Sequence, residues 1–292
     1  MGDVFADADA YEAYMGRWSR LVAPVFVAWL GAPAGLRWLD VGCGTGSLTA
    51  ALIAGATPAS VLAVDRSEAF VAAARRAALD LRVSVEVAAA DALPVPDRSL
   101  DAAVSGLVLN FLPDAPAAVR EQLRVVVPGG RVAAFVWDYA EGMEPLRHFW
   151  DAAASVDPGR ADLDEGARFP ICRPDALASV WRAAGLADVS VEGLVVHRTF
   201  ASFDELWAPF LGGQGAGGGY LGTLEGSTRE AIGDAFRARV PAGENGSIRL
   251  SARAWAVRGR RPVRSSPVPA GPSGGRGVPP GGHPRGVQGG PR

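Results

Sequence analysis

The sequence predicts a doubly wound α/β fold, with a mainly parallel seven-stranded sheet and helical cap insertions. Three observations carry this. Apolar runs of strand length alternate with helical segments between residues 36 and 138. Those runs are nearly continuous, as in strands buried on both faces. The first run ends in a glycine cluster, "WLDVGCGTGSL" (38–48), where a strand passes into a helix.

The elements follow in order. Residues 1–35 include a helical segment, 10–31, ahead of the first strand. The core, 36–138, carries the strand-like runs 36–41, 60–65, 82–89, 100–108 and 130–138, separated by helices 46–55, 67–79 and 115–127. The last of these helices stops at "PGG". Helix 174–184 has Pro174 at its start and Gly185 just past its end. Residues 174–200 thus supply a core helix and a strand (188–200), and 247–259 the last strand. Two stretches break the alternation, 139–173 and 201–246. The first follows the fifth strand, at the sheet end where ligands bind in open α/β folds. Both are expected to form a cap with the N-terminal segment. The second contains six glycines in the eight positions 212–219, read either as a mobile lid or as a flexible connection.

Composition sets outer bounds. Of 292 residues, 49% are hydrophobic and 21% charged, as in globular proteins. All 29 basic residues are arginine, which excludes a catalytic lysine. Six of them lie in 260–292, a stretch without acids, so the body carries 23 arginines against 31 acids. That balance argues against nucleic-acid binding by the body. Residues 260–292 also hold eight prolines and nine glycines and are expected to be a disordered tail, with the fold ending near Gly259. No apolar run has membrane-spanning length, the acidic N-terminus lacks a signal-peptide pattern, and two cysteines build no disulfide framework. A cytoplasmic location is the expectation. No His/Cys/Asp/Glu cluster has metal-ligand spacing.

The glycine cluster narrows the ligand. A nucleotide-binding phosphate loop needs a lysine, which is absent. A dinucleotide fingerprint needs a third glycine where Ser47 stands; the spacing here is G-x-G-x-G, at Gly42, Gly44 and Gly46. "LDVGCGTG" (39–46) resembles the first motif of class I S-adenosylmethionine-dependent methyltransferases. "VLAVDRSEAF" (61–70) is similar to the second motif, and "AADALPVPDRSLDAAVSGLVLNFLPD" (89–114) to the UbiE-like branch of that family. The resemblance covers 36–137 well and extends loosely to 259.

The resemblance implies a Rossmann-like fold, S-adenosyl-L-methionine as cofactor and methyl transfer to a small-molecule acceptor. It places Asp65 on the ribose hydroxyls, with Arg66 beside it. Asp91 faces the adenine amino group, and Ala92 and Leu93 supply a backbone donor and an apolar surface. Asp40 faces the ligand's ammonium. The backbone of Gly42, Gly44 and Gly46 lies along the methionine portion, and Ser105 closes the set from the fourth strand. In related enzymes a Tyr and an Arg ahead of the first strand look toward the methionine end; here Tyr11 and Arg17 match. The other reading of that segment is that Trp18, Leu21 and Val25 pack on the cap while Arg17 is solvated. Cys43 is read as a packing residue.

The acceptor is less legible, because the cofactor carries the reactivity and the protein supplies alignment. No amino-methyltransferase N-P-P-Y motif follows the fourth strand; "SGLVLNFLPD" stands there. Cap residues Phe149, Trp150, Phe203, Trp207, Phe210 and Leu211 suggest an apolar organic acceptor, or else form the cap's own core. A general base, if one is used, falls on His148 in "EPLRHFWDAA". His197 alternates with valines in a strand and His283 lies in the tail. Two other functions stay open: a cofactor-binding protein without turnover, and a nicotinamide-dependent oxidoreductase.

Overall fold

Seven strands form one sheet among the described residues of the computed structural model, which are 12–263 and 289–290. They are β1 (Arg37–Val41), β2 (Ser60–Asp65), β3 (Val83–Val87), β4 (Leu100–Gly106), β5 (Val126–Trp137), β6 (Ala187–Phe200) and β7 (Ile248–Arg260), in the order β3-β2-β1-β4-β5-β7-β6. β1 to β5 run parallel, and β7 is antiparallel to both β5 and β6. The strand order reverses direction beside β1, which puts the ends of β1 and β4 at the switch point where such sheets bind ligands.

The central strands read as continuous apolar runs because both faces are covered. Leu39, Val41, Val61, Ala103, Val104 and Val132 to Trp137 are all buried. The covering helices are α1 (Arg17–Leu30), α2 (Ser47–Gly55), α3 (Glu68–Ala77), α4 (Ala115–Val125), α5 (Glu144–Val156), α6 (Glu165–Arg168), α7 (Pro174–Ala183), α8 (Phe203–Leu211), α9 (Gly215–Gly222) and α10 (Gly226–Arg239). A π-helical turn, Glu12–Gly16, leads into α1. Trp18, Val22, Phe26 and Leu30 form the buried stripe of α1, at helical spacing. Phe26 meets Phe135 of β5 and Trp18 meets Phe200 of β6. Arg131 and Arg258 donate to the last carbonyls of α1, satisfying acceptors that a helix end leaves open. The expectation that Leu21 and Val25 also pack is corrected: they are 40% and 38% exposed, on the outer face.

Three boundaries differ from the sequence reading. "PGG" does not end a helix outside the sheet. α4 stops at Val125 and β5 begins at once, with Gly129 at φ +81° and the β4–β5 register shifting between Leu100 and Ala102. The motif is therefore a bulge in the strand. The glycine-rich stretch holds a helix, α9, instead of a plain loop. A Cβ on Gly215 would come within 2.8 Å of the Tyr14 ring, and one on Gly217 within 2.8 Å of the Phe149 ring. The glycines let this helix lie against aromatic rings. The fold also extends past Gly259. Arg261 exchanges backbone hydrogen bonds with Gly129 and Gly130, and its Nη1 donates to the carbonyls of Leu123, Arg124 and Val126. Most of the predicted tail, 264–288 and 291–292, lies outside the described residues.

The cap aromatics pack mainly on each other. Phe149 stacks on Phe210 at 4.7 Å, Phe203 on Trp207 at 6.1 Å, and Phe236 meets Phe203, Trp207 and Phe210 edge-on. Leu211 is 53% exposed. Apart from Leu211, these side chains form the cap's own core, the second of the two readings of that set.

Candidate active site

The turn after β1 is fixed in place and keeps its backbone clear of side chains of its own. Gly42 and Cys43 both donate to the Val64 carbonyl, at 2.7 and 2.9 Å, which splices the turn onto the end of β2. Gly42, Gly44 and Gly46 adopt φ of +73°, +54° and +95°, a region that favours glycine. A Cβ on Gly42 would sit 2.5 Å from Cγ2 of Val108, in the segment after β4. Gly46 caps α2 from a left-handed conformation, with no side chain bonded to that helix start from the cap position.

Two carboxylates flank the turn and differ in environment. Asp65 closes it: Oδ2 accepts from the Gly44 N–H and Oδ1 from the Ser67 N–H, both at 2.9 Å. Each oxygen keeps a further lone pair. Asp40 is fully buried; Oδ2 accepts from the Thr49 hydroxyl at 2.6 Å, while Oδ1 has no protein partner. Burial pushes the Asp40 carboxyl up to about 7, against the Thr49 hydrogen bond and with a smaller contribution from Asp65. Cys43 packs among Ala63, Val71, Ala74 and Val85, and burial raises its thiol.

More unmatched buried polar atoms lie at the end of β4. Ser105 Oγ has no partner, nor does either amide atom of Asn110, in the 3₁₀ turn Leu109–Phe111. Phe111 stands beside Phe169 at 5.3 Å, and Phe169 beside Tyr139 at 5.6 Å. These rings gather over the carboxyl ends of β4 and β5. Nearby, Glu165 is buried, accepts from the Trp150 indole at 2.6 Å, and is raised above the usual carboxylate range by burial. The Tyr14 hydroxyl is buried without a partner, its phenol raised by burial and by Glu165. Asn110, Glu165 and Tyr14 were missed by sequence reasoning. No motif spacing distinguishes them; their isolation depends on which elements close around them.

The other expected residues are distributed differently. Asp91 and Ala92 are exposed, and Arg66 is exposed at the end of β2. Leu93 departs from expectation: its side chain is buried in the core and its N–H donates to Glu121 at 2.9 Å. The Ala92 N–H is taken by the Ala89 carbonyl at 3.2 Å, so neither residue holds an idle donor. Tyr11 lies outside the described residues. Arg17 faces Glu205 at 3.8 Å. His148 is half-buried on α5, and the cavity beneath the start of that helix is lined by Pro145 and Leu146. His197 is exposed on β6. Among the described residues no group of three or more His, Cys, Asp or Glu is placed to hold a metal ion, and no helix is long and apolar enough to cross a membrane.

A methyltransferase-domain family profile matches residues 39–134, the span from the glycine turn to the middle of β5. A demethylmenaquinone methyltransferase of Roseiflexus sp. is 32% identical over 179 residues, covering 56% of this chain and 73% of that protein. The chain belongs to the class I S-adenosylmethionine-dependent methyltransferase family. A second family relative is an uncharacterised protein of Mycobacterium tuberculosis, 35% identical over 139 residues, 47% of each chain. The chain thus spans about half the length of some of the curated relatives it matches. A methyltransferase-family structure from an antibiotic biosynthesis pathway of Anabaena variabilis superimposes with a TM-score of 0.57 at 16% identity, covering 82% of this chain and 98% of that one. At that identity the likeness concerns the fold.

Proposed function

We propose that this chain binds S-adenosylmethionine at the β1–α2 turn and transfers its methyl group in line to a small, largely apolar organic acceptor. The observation that carries this reading is the set of unpaired buried polar atoms around the turn: Asp40 Oδ1, Ser105 Oγ and the Asn110 amide. A buried polar atom without a partner costs about 1–3 kcal/mol, so such a set persists where a ligand supplies the partners. The donor set also fits the cofactor's chemistry. Asp40 and Asp65 are acceptors for an ammonium and a ribose diol, and the glycine turn leaves room for a close backbone approach. The bound cofactor would supply an activated methyl on a sulfonium.

The chain's residues do the rest. The turn and Asp65 orient the cofactor, and Val108 fixes the turn against β4. Phe111, Tyr139 and Phe169 offer an aromatic wall for an apolar acceptor, whereas the cap aromatics pack mainly on one another. Asn110 can satisfy one donor and one acceptor on the substrate. We assign His148 no proton transfer; orientation and exclusion of water carry the rate, and orientation alone contributes ~7–11 kcal/mol in favourable cases. The test is to incubate the chain with labelled S-adenosylmethionine and a panel of phenols, quinols and hydroxy acids. Labelled product with release of S-adenosylhomocysteine is expected from an apolar aromatic member. Cofactor binding without turnover on any member would contradict the enzymatic reading.

A further inference from the structure

The edge of the sheet farthest from the glycine turn carries a second polar feature. Arg17, Arg20 and Leu21 of α1 and His197, Arg198 and Thr199 of β6 line an open groove of about 470 Å³. In the sheet order β6 lies three strands beyond β4, roughly 14 Å away at the usual strand spacing. That offset sets the open groove apart from the turn, while Arg17 and Arg198 also border the small cavity beneath the start of α5, beside Tyr14 and Leu146.

The groove's charge is unbalanced at one point. Arg198 Nη2 donates to Glu205 Oε1 at 3.0 Å, and Arg17 Nη1 approaches the same oxygen at 3.8 Å. Glu205 Oε2 is already occupied by the Ala201 N–H at 2.7 Å. Two guanidinium groups from different elements therefore share one carboxylate oxygen. Arg198 is also held over the Phe200 ring at 4.9 Å, and its Nε is buried without a partner. It is thus a pre-positioned guanidinium lining the groove, on a body whose overall charge is negative. Arginine forks converging from two elements suit an oxyanion with several acceptor oxygens, and bind it more strongly than neutral donors do.

We propose that this groove binds the phosphate of a small phosphomonoester, at a site separate from the methyl-transfer centre. The inference does not depend on the proposed enzymatic activity. Thr199 and His197 stand beside the arginines, and Leu21 gives the ester's organic part an apolar contact.

The test uses phenyl phosphate as probe, titrated calorimetrically into the full chain at low ionic strength. Saturable binding is expected, weakened about tenfold or more in R198Q and in the half-exposed R17Q. R198Q should keep its affinity for S-adenosylhomocysteine. Benzoate should bind markedly more weakly than phenyl phosphate. Sedimentation with phosphatidate vesicles separates the sources: lipid binding that disappears in R198Q supports the site and names a headgroup as its ligand. No binding of either phosphate, equal binding of benzoate, or binding untouched by both substitutions would overturn the proposal. Failure of the unmodified chain to bind S-adenosylhomocysteine would refute the cofactor reading and leave this one standing.

Discussion

Asp40, proposed to face the cofactor's ammonium, carries a burial cost within the fold that holds it. Its carboxyl is protonated more readily in the folded state than in the unfolded chain, at about 7 against an ordinary 3.8. The sign follows. Its contribution is fully present below about pH 4, falls as pH rises toward 7, and is constant above that. A shift of this size corresponds to about 4 kcal/mol. Asp40→Asn, which retains an acceptor for Thr49, should flatten this dependence. The difference in melting temperature, variant minus unmodified chain, is expected to grow from pH 4 to pH 8. A difference independent of pH would contradict the assignment. A cationic ligand would reverse the burden by favouring the carboxylate, so cofactor binding near pH 6.5 should release protons, read as a buffer-dependent calorimetric enthalpy. The place of Asp40 and Asp65 beside the turn was legible in the sequence because each stands at the end of an apolar strand run, β1 and β2. Asn110 was not, because an amide's lack of partners is a property of packing. Asn110→Ala should leave the melting temperature unchanged or raised while lowering turnover on the true acceptor; a large loss of stability would show that the amide is structural.

At the scale of elements, the boundaries the sequence misplaced are those where backbone geometry is decided by a partner elsewhere. "PGG" reads locally as a stop, yet Gly129 is paired through Arg261, a residue 132 positions on. Six glycines read locally as a loop, yet α9 is helical, and Gly215 and Gly217 let it lie against the rings of Tyr14 and Phe149. The first case is tested by truncation, and the close approach at the β1–α2 turn by substitution. A chain ending at Gly259 loses the three carbonyl contacts of Arg261 and should melt several degrees lower than a chain ending at Val263, which should match the full chain. Equal melting of the two truncations would show that Arg260 and Arg261 add nothing. Gly42→Ala places a methyl against Val108 at a positive φ and should destabilise by about 1–3 kcal/mol. Val108→Ala in that background should recover part of the loss; no recovery would assign the cost to the backbone alone.

On the scale of the whole molecule, the parallel core was legible from residues 36 to 138 because buried strands and their turns are written locally, in apolar runs closed by glycine. The antiparallel placement of β7 between β5 and β6 was not, since pairing order is decided across the sheet. The acceptor's surroundings were the least legible part. Cap aromatics can face a pocket or one another, and here most chose one another. The central claim, that the turn at the switch point holds S-adenosylmethionine, is tested most directly by calorimetric titration with S-adenosylhomocysteine, with NAD as comparison. The unmodified chain should bind S-adenosylhomocysteine and not NAD. Asp65→Ala, which removes a charge-assisted acceptor, should bind roughly 10–150-fold more weakly, equivalent to ~1.5–3 kcal/mol. Unchanged affinity in Asp65→Ala, or preferential binding of NAD, would contradict the account.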